Sequence, residues 1–147
     1  MLYGVALALV IAAAGCGDDP APTLTSAGVG KCLDTTHVLH GPAADAIPAV
    51  AHRRAAMSAS FALVPEHPLD KALIVLTGST EDALDGAKAW FREDLAQALR
   101  TPGVRIPTNF KPKQSDLFAV RENAIVLWQT FPMNPASKRT ILACLKL

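Results

Sequence analysis

Asp34, His37 and His40 stand close together in "LDTTHVLH", and they bring the residue types of a metal site or of an acid–base pair. A spacing of three sets His37 and His40 on one face of a helix, but on opposite sides of a strand. No second cluster offers the further ligands that zinc needs, so the two histidines stand as metal-ligand candidates against an expectation of no metal and no cofactor. His52, beside Arg53-Arg54, and His67, beside Pro68, read as surface residues of a helix end or loop. Among the serines, Ser58, Ser60, Ser79, Ser115 and Ser137 include no Gly-x-Ser-x-Gly elbow, and nothing selects a triad built from distant residues. "LTGST", 76–80, would present backbone N–H groups to an anion at a helix N-terminus. It lacks the second Gly and the Lys of a phosphate loop, and the acidic residues just inside the helix would repel a phosphate. Glu93 and Asp94 fit a solvated helix side. Trp90 and Trp128 are large enough to line a ligand groove, although an aromatic on a helix stripe or a buried strand is more often core. No catalytic residue is assigned.

Elements of ordinary kind must position these groups. "ALIVLT", 72–77, is continuously apolar and β-branched, the pattern of a central strand buried on both faces. "ASFALV", 59–64, predicts a neighbouring strand, with "EHPLD", 66–70, connecting the two. After Gly78, Ser79 or Thr80 can cap a helix whose first turns carry Glu81, Asp82 and Asp85. Leu84, Ala87, Phe91, Leu95, Ala98 and Leu99, widened by Trp90, predict its apolar stripe, and Pro102-Gly103 ends it. A polar, proline-rich loop follows, from about 101 to 115. "DLFAV" and "NAIVLWQTF" bracket a hairpin turn at Arg121-Glu122-Asn123, where Asn123 tolerates positive φ. Asn134 and Pro135 are suited to the N-cap and first position of a closing helix that turns Ile141 and Leu145 to the core. Upstream, the spacing predicts a short helix carrying Cys32, a strand over 36–39 and a possible helix over 49–57, bounded by Pro48.

The 147 residues leave room for one domain, and a net charge of +1 shows no surplus of either sign. Nucleic-acid binding is not expected: Lys111 and Lys113 are the one basic cluster, separated by Pro112 and flanked by a single aromatic, Phe110.

From Leu2 to Ala14 the chain is uncharged and apolar or small, a run of about thirteen residues where a membrane-spanning helix needs roughly twenty. That length suits the apolar part of a secretory signal. The run ends in Ala13-Ala14-Gly15-Cys16, which resembles the lipobox of bacterial lipoproteins. The resemblance implies that the leader, 1–15, is removed before Cys16, that the Cys16 thiol carries a diacylglycerol group, and that the new amino terminus can be acylated. Several acyl chains on one residue make a durable anchor, since each buried CH₂ contributes ~0.8 kcal/mol and one chain alone holds only marginally. Residues 16–29, rich in Gly, Asp, Pro, Thr and Ser, then read as a flexible tether, and 30–147 as the domain. With Cys16 assigned to lipid, Cys32 and Cys144 remain in a chain bound for an oxidising compartment, and a bridge between them is expected. The alternative is two separate buried thiols.

The sequence thus predicts an α+β fold, a small two-layer sandwich with a mainly antiparallel sheet of three to four strands packed on two or three helices. The functional expectation is a lipid-anchored module on the extracytoplasmic face of a bacterial membrane, which binds an envelope protein, a cell-wall component or a small ligand without catalysing a reaction. An envelope enzyme of hydrolase type and a purely structural envelope protein are the alternatives.

Overall fold

Ala72 to Thr77 are six consecutive buried residues, and alternation along the strand sends them to two separate cores. The computed structural model describes residues 21–43, 56–94, 112–130 and 132–147. Its elements are α1 (Ser26–Thr35), β1 (Leu39–Pro42), β2 (Ala56–Leu63), β3 (Lys71–Thr77), α2 (Thr80–Ala89, continued by a π turn, Trp90–Asp94), α3 (Gln114–Leu117), β4 (Phe118–Arg121), β5 (Ala124–Trp128) and α4 (Pro135–Ala143). The strands form one five-stranded sheet in the order β1-β2-β3-β5-β4, with every neighbouring pair antiparallel. The expected α+β class with an antiparallel sheet is the fold found, one strand wider.

On one face, Ala72, Ile74 and Leu76 of β3 and Ala124, Val126 and Trp128 of β5 pack with Val29 and Leu33 of α1 and with Ile141 and Leu145 at the C-terminal end of the chain. On the other, Leu73, Val75, Ile125 and Leu127 pack with Ala83 and Ala87 of α2. A central strand covered on both sides has no polar face to spare. That is why β3 and β5 lack the apolar–polar alternation of half-exposed strands.

Local chemistry sets the ends of the helices. Ser79 caps α2 by accepting the Asp82 N–H, and Asn134 caps α4 by accepting the Ala136 N–H, with Pro135 at the first helical position. Three expectations are corrected. The domain begins before residue 30: Leu24 is buried and Thr25 caps α1, so Val29 and Leu33, one turn apart, can both reach the core. Residues 36–37 form the turn that ends α1, and the strand starts at Leu39. Ala56 and Met57 belong to β2, whose pairing with β3 runs from Ala56 to Leu63; residues 49–55 of the possible helix lie outside the described residues.

The stripe on α2 is also rotated from the one expected. Ala83, Gly86 and Ala87 face the sheet, and Leu84 is 45% exposed. Small side chains let the helix axis approach the strands. The π turn then places Trp90 and Phe91 against one ring, Phe118, at centroid distances of 5.8 and 6.1 Å. Leu95, Ala98 and Leu99 lie outside the described residues.

Two long-range ties close the domain. Cys32 and Cys144 form a disulfide across a sequence separation of 112, joining α1 to the end of α4. Asn123, 2% exposed in the β4–β5 turn, accepts the Leu24 N–H at 2.7 Å and donates Nδ2 to Leu24 O at 3.1 Å and to Thr77 O at 2.8 Å. The positive φ of this turn falls on Glu122, at 48°, which leaves Asn123 to turn inward.

Asn123→Ala strips partners from three buried backbone groups and is expected to cost about 3 kcal/mol of unfolding free energy in urea melts. A loss below about 1 kcal/mol would mean that water replaces the amide. Replacing Cys32 and Cys144 together by Ser should lower stability by about 2–5 kcal/mol under non-reducing conditions. Melts that coincide with the parent's would remove the bridge from the account of stability.

Candidate functional site

β3 runs from Lys71, where the sheet end also holds Leu63, Trp128 and Phe118, to Thr77, where the opposite end holds Asn123 and the entering Leu24. Seven residues of strand set these ends about 20 Å apart. At the Lys71 end, three connections remote in sequence meet: 66–70, the start of α3, and 132–135. They enclose an open cavity of about 660 Å³, within the range of small-molecule and peptide sites.

Its walls are fixed by hydrogen bonds made elsewhere. The β2–β3 connection folds on itself through His67 N–H to Val64 O and Asp70 N–H to His67 O, at 3.0 and 2.8 Å. The Thr130 hydroxyl donates to Leu69 O and accepts the Lys71 N–H. Asp70 is buried, and its Oδ2 accepts Ser137 Oγ–H at 2.6 Å and the Asn134 N–H at 3.2 Å, so a carboxylate sits where the α4 N-terminus favours negative charge. Lys138, one turn into α4, donates Nζ to Ser115 O at 3.0 Å and lies 5.4 Å from the centre of the Trp128 ring. Pro68, Leu69, Pro132, Met133 and Pro135 supply apolar lining, with Glu66 and Asp116 also facing the space.

The Ser137 hydroxyl donates directly to a carboxylate with no imidazole between them and is 1% exposed, which makes it a structural bond rather than an activated nucleophile.

The residues singled out from the sequence are dispersed. His40 pairs with Asp34, Nε2 to Oδ1 at 3.0 Å, joining β1 to α1, while His37 sits in the turn after α1 with φ 58°. No group of three or more His, Cys, Asp or Glu residues able to hold a metal occurs among the described residues. His67 lines the cavity; His52 lies outside the described residues. Trp90 packs on the α2 side of the sheet and Trp128 on the α1–α4 side, so the two do not share a groove. The turn at "LTGST" is closed by its own cap, with Ser79 Oγ donating to Asp82 Oδ2 at 2.9 Å where an anion would sit. Glu93 is exposed. Lys113 precedes α3, and Lys111 and Cys16 lie outside the described residues. Glu66, Asp70, Asp116 and Lys138 were not singled out from the sequence, and Asn134 only as a helix cap; their one local signal is the prolines clustered about 65–68 and 132–135.

Removing the Asp70 carboxylate as Asp70→Ala orphans the Ser137 hydroxyl and the Asn134 N–H and is expected to cost about 2–4 kcal/mol in urea melts. An unchanged midpoint would show that the cavity wall does not depend on this bond.

No helix among the described residues is long and apolar enough to cross a membrane. No family model, curated protein or solved structure matches the chain.

Proposed function

We propose that the chain is a lipid-anchored, extracytoplasmic binding or accessory module of a bacterial envelope, joined to the membrane through Cys16 and engaging its partner at the Lys71 end of the sheet. The observation that carries the reading is the polarity of the domain. The chain enters the fold at Leu24, clamped by Asn123, and the cavity opens about 20 Å away at the other end. A membrane at the N-terminal side would therefore leave the cavity turned to the medium, where a partner can reach it. The Cys32–Cys144 bridge supports export, because such bonds persist in oxidising compartments. The lipobox-like Ala13-Ala14-Gly15-Cys16 supports acylation, and a few polar residues between Cys16 and Leu24 would hold the domain close to the bilayer. The hydrogen bonds of Asp70 and Lys138 to the protein's own frame support a preformed binding surface.

Metabolic labelling with a clickable fatty acid in a bacterial host tests the anchor. The parent chain is expected to take up label and sediment with membranes, and Cys16→Ala to lose both. An unlabelled parent that stays reduced in the cytoplasm would overturn location and anchor together.

A further inference from the structure

We infer that the cavity at the Lys71 end of the sheet accepts a cationic peptide segment, one in which a lysine or arginine stands next to an apolar side chain. The inference rests on the binding-module reading and names the ligand's chemistry. Pro68, Pro132 and Pro135 have no N–H to offer. The N–H groups of His67, Asp70, Asn134, Asp116 and Lys138 are already committed to Val64 O, His67 O, Asp70 Oδ2, Lys113 O and Asn134 O. The one ammonium, on Lys138, is held by Ser115 O and the Trp128 ring. Side-chain donors left to a ligand are few, chiefly the Asn134 amide and the His67 ring.

Acceptors are plentiful by comparison. Glu66 is exposed on the lining, and Asp116, which accepts the Lys113 N–H through Oδ2, is exposed as well. Glu66 and Asp116 thus offer two exposed carboxylates against the single Lys138 ammonium, while the buried Asp70 spends its Oδ2 on Ser137 and Asn134. An anion would meet an excess of carboxylates. A cation bearing several N–H groups meets open acceptors. Leu69, 80% exposed, together with Met133 and the three proline rings, gives an adjoining apolar side chain a rigid surface to rest on. The proline rings also keep that surface preformed.

Isothermal titration calorimetry on the full-length chain in neutral detergent tests this with three end-blocked pentapeptides: one of alternating lysine and leucine, its glutamine–leucine analogue and its glutamate–leucine analogue. The lysine peptide is expected to bind about tenfold more tightly than the glutamine peptide at low salt, and the preference should fall as ionic strength rises. Glu66→Gln with Asp116→Asn should weaken the lysine peptide by about three- to tenfold, since exposed charges contribute modestly one by one. Asn at 116 still accepts the Lys113 N–H, so the wall survives the change. In a Trp90→Phe background, binding should alter Trp128 emission, because Lys138 joins that ring to the cavity. Equal or tighter binding of the neutral or acidic peptide overturns the cationic assignment and leaves a binding cavity in place. Binding of none of the three overturns the inference, as does a lysine preference that the double variant leaves intact. Labelling at Cys16 is an independent readout, so failure of the tethered reading and failure of this one are separable.

Discussion

A primary amide without water must find all its partners in the protein, and Asn123 finds them in two segments that the chain keeps far apart. Its Oδ1 and Nδ2 treat the backbone of Leu24 as a neighbouring strand would, and the second Nδ2 proton goes to the last residue of β3. Thr77 answers by donating its N–H to Asn123 O at 2.8 Å. The turn, the central strand and the entering chain are thereby fixed to one another at a single point. With Leu24 placed, Thr25 caps α1 where Val29 and Leu33 meet the sheet, and Cys32 comes within reach of Cys144. The sheet end that organises the fold is not the end that carries the cavity.

That separation has a physical logic. Groups at the Leu24 end are satisfied among themselves and buried. Those at the Lys71 end, apart from the Trp128 Nε1–H, which is buried without a partner, are satisfied at the base but leave carboxylates and apolar surface facing outward. Asp70 marks the boundary: its carboxylate belongs to the frame, because it ties the β2–β3 connection to the start of α4, yet the residues just before it, Glu66 to Leu69, line the open space. A connection held so firmly at its base can present side chains in a fixed geometry, which keeps the entropic cost of binding low.

Much of the frame was legible from short-range pattern. The unbroken apolar run of β3, the Ser79 cap, the Asn134-Pro135 start of α4 and the hairpin about residue 122 each rest on neighbours in sequence, and each is found. The cysteine pairing followed from parity once Cys16 was set aside. What escaped depends on contacts made at a distance. Asn123 looked like a turn residue chosen for its backbone, whereas Glu122 takes the positive φ and Asn123 is used for its side chain. The rotation of α2 follows from the fit of Ala83, Gly86 and Ala87 against the strands, together with a π turn that no spacing rule announces. The cavity was invisible because its three connections meet only in the folded chain, and none of them carries a motif.

The disulfide makes residues 32–144 a covalent ring. A protease that cuts one peptide bond anywhere inside the ring opens it into a line without releasing a fragment. The whole domain then stays attached to the segment bearing Cys16, and its mass falls only after reduction. Whatever holds the N-terminal tail consequently holds both halves of a nicked molecule.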